Sequence, residues 1–243
     1  MVLLHLVLAT AVHGAVVNLH VKAGPDGAFG DCPFAHATRM ALEHKGIEYN
    51  LMPHKPDAKP DWLVADYGGA MPCLEHDDKI VTESAVIADY IDERFPMPSL
   101  SPPGLDRAEA ARSDVFGSFA RYCKNTEAEA DGELKKALLL ALCTLDAHLE
   151  KAAGPFAAGA ELSRCDCFLL PALYHIRVAG AAYKDFEIPA QFTALNAYID
   201  AMFESELLYR TAPLPAMVKW GWANARGDAA AAEKATEELA ARA

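Results

Sequence analysis

Hydrophobic residues follow two different periods along the chain, and the change falls near residue 100. Before it, short apolar runs with the two-residue period of β-strands alternate with segments that carry helix signals. The predicted order is βαβ followed by ββα, with strands at residues 16–21, 47–51, 71–75 and 79–81. Ser84 is predicted to cap the last helix of this part, whose apolar face includes Ile87 and Ile91.

A proline-rich segment ends the alternating part. Residues 96–104 contain four prolines, which cannot continue a helix, and no strand pattern appears after residue 105. Two helical stripes follow: Leu138, Leu142, Leu145 and Leu149, then Phe192, Leu195, Ile199 and Met202. Ser163-x-x-Asp166 has the form of a capping box with Asp in place of the usual Glu.

These patterns predict two domains. The predicted segments are an extension at 1–15, an α/β domain at 16–97, a linker at 98–105, an all-helical domain at 106–226 and an Ala/Glu-rich tail at 227–243. The tail is expected to be a frayed helix or disordered.

Cys32 has the sequence context of a reactive thiol. Pro33 suits the first position of a helix, so Cys32 is predicted at the N-cap, facing the free N–H groups of Phe34 and Ala35. Those donors and the helix dipole favour a thiolate, and we expect a pKa below the ordinary value of about 8.5. A buried structural cysteine is the alternative. His36, one turn further on, is expected to be an exposed residue rather than a base.

Composition narrows the possible partners. With 34 acidic residues against 22 basic ones, the formal net charge is −12, which disfavours binding to nucleic acid and to anionic membranes. The six cysteines form neither a disulfide framework nor a zinc-ligand pattern, so we expect no metal. Residues 1–14 are apolar but lack a basic segment, which favours a cytoplasmic protein over an organellar or secreted one.

The element order resembles the glutathione transferase superfamily, which joins an α/β thioredoxin-like N-terminal domain to an all-α C-terminal domain. Within it, several segments are similar to plant-type dehydroascorbate reductases. They include Lys22-Ala23, Gly30-Asp31-Cys32-Pro33-Phe34, Lys59-Pro60-Asp61-Trp62 and Gly221-Trp222. The resemblance covers residues 16–224.

The resemblance implies a role for each matching residue. Cys32 would be catalytic, and Lys22 and Asp31 would hold dehydroascorbate or ascorbate. The implied glutathione-binding residues are Phe34, Lys59, Met71, Pro72, Glu83, Ser84 and Trp222. Trp222 would roof the cleft from the helical domain. Glutathione would be a co-substrate, with no tightly bound cofactor, and the enzyme would be a monomer.

These residue types suit an anionic tripeptide. Lys59 can pair with the glycyl carboxylate, and Ser84 at a helix N-terminus can bind the γ-glutamyl carboxylate, whose ammonium Glu83 can meet. Pro72, expected to be cis, would open a strand and turn the Met71 backbone towards the cysteinyl unit of glutathione. Ala35 stands where related sites often have Ser or Cys, which excludes a dithiol mechanism at this position.

The sequence therefore predicts reduction of dehydroascorbate by one cysteine in a ping-pong reaction that yields oxidised glutathione. Two alternatives stay open. An omega-class-like thiol transferase would use the same cysteine on other substrates. A protein similar to chloride intracellular channels would bind partners or insert in membranes, but the charged residues between Pro33 and Lys45 argue against that.

Overall fold

A four-stranded sheet with three helices precedes a helical domain in the computed structural model, which describes residues 16–242. The extension predicted at 1–15 lies outside the described residues. The strands are β1 (Val17–Lys22), β2 (Asn50–His54), β3 (Cys73–His76) and β4 (Lys79–Thr82). The first helices are α1 (Pro33–His44), α2 (Asp61–Tyr67) and α3 (Ser84–Arg94).

Every regular element from residue 105 to residue 242 is helical, as predicted. The helices are α4 (Leu105–Arg112), α5 (Val115–Lys124), α6 (Ala128–Leu149), α7 (Arg164–His175), α8 (Ala181–Lys184), α9 (Thr193–Phe203), α10 (Glu206–Thr211), α11 (Pro215–Arg226) and α12 (Ala229–Ala240). A π-helical turn, Ile176–Gly180, joins α7 to α8. None of the helices within residues 16–242 is long and apolar enough to cross a membrane.

The sheet order is β2-β1-β3-β4, with β1 parallel to β2 and the other two pairs antiparallel. Val17, Leu19 and Val21 alternate along β1 and are buried, which is the two-residue period of a strand with one face in the core. On the other face, the His20 ring meets the edge of Trp62 from α2. Both faces of β1 are therefore covered, and its C-terminal end is held in place.

The predicted strand boundaries differ from the structure by up to three residues, and β3, for instance, begins at Cys73 rather than at residue 71. Strand β2 begins at Asn50 rather than 47, because the Ile47 N–H closes the end of α1 by bonding to the Leu42 carbonyl. Ser84 is the first residue of α3 and not its N-cap. The residue in the N-cap position is Glu83, whose φ of +67° lies in the left-handed region.

The helical domain has the predicted core. Leu138, Leu142 and Leu145 of α6 are buried, and Ser163 and Asp166 form the capping box at the start of α7. The Ala/Glu-rich tail is neither frayed nor disordered through 229–240, where it forms α12. Its Ala232, Ala235 and Leu239 lie on one face and pack on α11, and this apolar stripe explains why the helix is docked.

Helix α1 connects the two domains. The Arg39 side chain of α1 donates to the backbone carbonyls of Thr211 (2.8 Å) and Arg210 (3.1 Å) in α10. At the other end of α1, the buried Lys45 ammonium donates to Asp92 (2.8 Å) and to the carbonyl of Pro98 in the linker (2.5 Å). These bonds fix α1, and with it the residue at its N-terminus, between the sheet and the helical domain.

Candidate active site

Cys32 lies in the N-cap position of α1, with Pro33 as the first helical residue, as predicted. The loop that leads to it returns to β1, because the Gly30 N–H bonds to the Lys22 carbonyl at 2.8 Å. A Cβ on Gly30 would lie only 2.5 Å from that carbonyl oxygen, so this close approach requires glycine. The result places Cys32, partly exposed, beside the C-terminal end of β1.

The pKa of the Cys32 thiol differs from the prediction. Burial raises it above the ordinary value, and this desolvation outweighs the lowering by the backbone amides of Ala35 and Phe34. The Asp31 carboxylate raises the pKa further, and Lys22 lowers it least. The expected helix effect is present, but the sequence alone did not show that burial of the partly exposed Cys32 outweighs it.

Lys22 and Asp31 lie together beside Cys32. The Lys22 ammonium is 2.7 Å from the Asp31 carboxylate, and it also lies 4.9 Å from the centre of the Trp220 ring. The Asp31 carboxylate raises the pKa of Cys32 and the Lys22 ammonium lowers it, so the two opposite charges act against each other at the thiol. The two predicted substrate-binding residues thus form one ion pair next to the sulfur.

Trp222 does not occupy its predicted place over the cleft. It is 6% exposed, and its ring packs at 5.1 Å from Phe119 in the helical core. Its indole N–H donates to Nδ1 of the buried His175 at 2.9 Å. The partly exposed Trp220 faces the Lys22 side of the site instead. Trp220 and Trp222 are two residues apart on a helix, so their rings point in different directions. The sequence alone does not show which of the two rings faces the site.

His36 is buried rather than exposed. Helices α7 and α10 cover its face of α1, and its Nε2 lies 3.1 Å from the Thr211 hydroxyl oxygen. Burial lowers its pKa well below the ordinary value and lowers that of His175 to about 4. Both imidazoles are therefore neutral at physiological pH and belong to the interface between the domains.

The segment predicted to bind glutathione borders the same end of the sheet. The Lys59 ammonium donates to the Gly69 carbonyl at 2.7 Å. This bond holds the Lys59 side chain near Met71, which follows Gly69 by two residues in the chain. The peptide bond between Met71 and Pro72 is cis, as expected, and β3 begins directly after it. Met71 stays partly exposed, whereas Pro72 is buried.

Glu83 and Ser84 mark the N-terminus of α3. Glu83 is exposed, and its positive φ is uncommon for a residue with a side chain, so the surrounding fold imposes it. Ser84 is partly exposed at the first helical position, where the free backbone N–H groups of a helix can bind an anion.

Phe34 extends from the first turn of α1 towards the helical domain. It is 46% exposed and meets Phe116 of α5 edge-on, with ring centres 5.5 Å apart. Phe116 and Arg112 line a small cavity with Phe34, about 40 Å³ in volume. Sequence reasoning missed Arg112 and Phe116, because their approach to α1 depends on how the domains pack. No group of three or more metal-binding side chains occurs among residues 16–242.

Comparison with known proteins identifies the family to which this fold belongs. Residues 31–94 match the family model described as the glutathione S-transferase N-terminal domain. The fold and this match thus place the molecule in the glutathione S-transferase class.

The similarity is more specific than the class. The chain is 33% identical over 207 residues to glutathione S-transferase DHAR2 of Arabidopsis thaliana, covering 85% of this chain and 95% of that protein. It is 34% identical over 212 residues to a probable cytosolic glutathione S-transferase DHAR1 of Oryza sativa subsp. japonica, covering 86% and 97%. The Chlamydomonas reinhardtii dehydroascorbate reductase structure has a TM-score of 0.77 at 30% identity, covering 86% and 98%. The chain belongs to the dehydroascorbate reductase family of glutathione S-transferases, which are oxidoreductases.

One further structure shares only the fold. The CLIC homologue EXC-4 from C. elegans has a TM-score of 0.72 at 18% identity, covering 88% of this chain and 83% of that one. This similarity carries no functional conclusion.

Proposed function

We propose that this protein reduces dehydroascorbate to ascorbate with glutathione, using Cys32 as its one redox-active cysteine. The placement of Cys32 at the start of α1, beside the Lys22–Asp31 ion pair, is the observation that supports this best. Of the other cysteines, Cys73, Cys123, Cys165 and Cys167 are buried, and Cys143 is exposed on α6. Burial raises the pKa of Cys73 to about 11 and that of Cys123 to about 12, and neither has the two helix amides that act against burial at Cys32.

The proposed reaction has three steps. The Cys32 thiolate gives two electrons to dehydroascorbate, and ascorbate leaves. Water supplies the oxygen atom that bonds to the Cys32 sulfur, which becomes a sulfenic acid. One glutathione thiol condenses with it, forming the mixed disulfide and releasing water. A second glutathione attacks this disulfide, so that oxidised glutathione leaves and the Cys32 thiolate returns.

The proposed glutathione site follows the residues that border Cys32. Lys59 supplies a cation for the glycyl carboxylate, and the Met71 backbone supplies strand-like hydrogen bonds to the cysteinyl unit. The amides at the start of α3 and the Ser84 hydroxyl bind the γ-glutamyl carboxylate, while Glu83 meets the ammonium. Phe34 borders the sulfur from the first turn of α1. Because Trp222 is buried, we leave it out of this site.

Stopped-flow and mass spectrometry test the mechanism directly. Reduced enzyme is mixed with dehydroascorbate in the absence of glutathione, and ascorbate is followed by its ultraviolet absorption. We expect one equivalent of ascorbate per chain, and dimedone labelling of Cys32 as the sulfenic acid. Glutathione added afterwards should give a Cys32–glutathione disulfide. The Cys143→Ser variant is the control and should behave like the wild type.

Two results would contradict the proposal. Release of ascorbate only when glutathione is present would exclude a ping-pong order. A faster turnover with hydroxyethyl disulfide than with dehydroascorbate would assign the protein to thiol transfer instead.

We further propose a cytoplasmic monomer. Relatives are named both as cytosolic and as chloroplastic proteins, so the names alone leave both locations open. Residues 1–15 fused to a fluorescent protein should leave it in the cytoplasm, and import into an organelle would refute this. Light scattering after size exclusion should give a mass near 26.2 kDa, whereas twice that value would show a dimer.

A further inference from the structure

Helix α11 of the helical domain presses one face against the loop that carries Cys32. Met217, Trp220 and Gly221 share that face at helical spacing. A Cβ on Gly24 of the loop would lie 2.2 Å from the Met217 Cε atom, so the loop and α11 are in contact there. Trp220 lies against the ammonium of Lys22, as described above. The contact continues to Asp31, the residue directly before the cysteine.

Gly221 is where α11 and Asp31 approach most closely. A Cβ on Gly221 would lie 1.9 Å from Oδ2 of Asp31, 2.2 Å from its Cγ and 2.6 Å from its Cβ. Real side chains do not come this close, so any side chain at position 221 must displace Asp31 or the helix. Glycine weakens the interior of a helix relative to alanine, and Gly221 has no left-handed backbone that would require it.

We propose that Gly221 is a positioning residue that sets where the Asp31 carboxylate lies relative to Lys22 and the Cys32 sulfur. Because Gly221 has no side chain, the carboxylate can lie against α11, where it holds the Lys22 ammonium at 2.7 Å. The helical domain thereby determines the charge that acts on a thiol belonging to the other domain. This proposal rests on Cys32 being the reactive thiol, but not on the identity of the oxidised substrate.

A purely structural explanation makes a different prediction. If Gly221 only lets α11 and the loop pack together, its replacement lowers stability without changing how the Asp31 charge affects Cys32. If it positions Asp31, its replacement changes that charge effect in particular. The test therefore measures the reactivity of the Cys32 thiol with and without the Asp31 charge, both in the presence of Gly221 and after its replacement.

The test is the pH dependence of iodoacetamide alkylation at Cys32, followed by peptide mass spectrometry so that Cys143 is counted separately. The proteins are the wild type, Asp31→Asn, Gly221→Ala and the double variant. Asp31→Asn removes a charge that raises the pKa of Cys32, so its alkylation at pH 7.5 should be faster, on the order of threefold. In the Gly221→Ala background, the same change should have less than half that effect on the logarithm of the rate.

Gly132→Ala is the matched control, because Gly132 is inside α6 with no atom within 4 Å of the added Cβ. It should alkylate at the wild-type rate, with the full Asp31→Asn response when the two are combined. An equal Asp31→Asn response in the Gly221→Ala and wild-type backgrounds would overturn the proposal. The alkylation test does not use dehydroascorbate, so its failure can be distinguished from a failure of the proposed reaction.

The Gly221→Ala protein can also fail to fold, and a second variant tests the proposal in that case. Asp31→Gly removes the three Asp31 atoms that lie nearest to the new Cβ. In the Asp31→Gly/Gly221→Ala variant, the thermal unfolding midpoint should therefore return to within about 2 °C of Asp31→Gly alone. An unfolding midpoint that stays low would show that Gly221 is needed for some other contact, and would refute its link to Asp31.

Discussion

Asp166 at the start of α7 offers the sharpest test of how this fold is held together. Its carboxylate is fully buried and accepts four hydrogen bonds. The donors are the Ser163 N–H (2.8 Å), the Ser163 hydroxyl (2.7 Å), the Ala157 N–H (2.8 Å) and the Tyr198 hydroxyl (2.8 Å). Asp166→Ala would leave the two backbone N–H groups without a partner inside the domain.

The magnitude follows from those four bonds. A hydrogen bond to a charged group contributes about 1.5–3 kcal/mol, but bonds that share one acceptor group are not additive. We therefore expect Asp166→Ala to lower the free energy of unfolding by about 4 kcal/mol or more. Because domains are stable by only about 5–15 kcal/mol, this is a large part of the total.

Urea unfolding followed by circular dichroism and tryptophan fluorescence measures the change. Asp228→Ala is the matched control, because the exposed Asp228 carboxylate caps α12 with a single bond to the Ala231 N–H at 3.0 Å. It should lose only about 1 kcal/mol, the usual loss for an N-cap. A loss for Asp166→Ala no larger than that of Asp228→Ala would refute the reasoning from buried hydrogen bonds.

Four further predictions concern the active site. Cys32→Ser should abolish reductase turnover while Cys143→Ser keeps it, and substantial activity in Cys32→Ser would exclude the mechanism. Because burial raises the pKa of Cys32, its alkylation rate should still be rising with pH at about pH 9, and a plateau near neutrality would show that the helix N-terminus dominates after all. Lys59→Ala should raise the Michaelis constant for glutathione about tenfold and leave that for dehydroascorbate unchanged, with the exposed Lys55→Ala as control; equal rises for both substrates would make Lys59 structural. Lys22→Ala should slow the reaction of reduced enzyme with dehydroascorbate in stopped flow, and a wild-type rate there would remove Lys22 from the site.

Local sequence signals predicted most of the fold correctly. Pro33 after Cys32 is a local signal of a helix start, because its ring suits the first helical position and the missing N–H has no partner to lose. The capping box at Ser163 and the leucine stripe of α6 are equally local, since they depend on neighbours within one or two turns. Such features could be read without knowing how the domains meet.

The chemistry around Cys32 depends on tertiary structure. The sequence predicted the helix N-terminus and its two amides, but the raised pKa of Cys32 comes mainly from its burial in the folded structure. The other domain covers one side of each helix, and this decides which side chains face solvent. It decided that His36 is buried and that Trp220, rather than Trp222, faces the site. Periodicity gives the angle between two side chains on a helix, but not the direction of either one.

By itself, the sequence determined the thioredoxin-like and helical parts, the linker between them and the cysteine at the start of α1. Only the tertiary structure brought α11 against Asp31 and paired that carboxylate with Lys22. The physical reason is one of range. Helix caps and strand periods arise from bonds between near neighbours in the chain, whereas burial and charge at a sulfur sum over every group nearby in space. Those groups come from positions as far apart as residues 22 and 221.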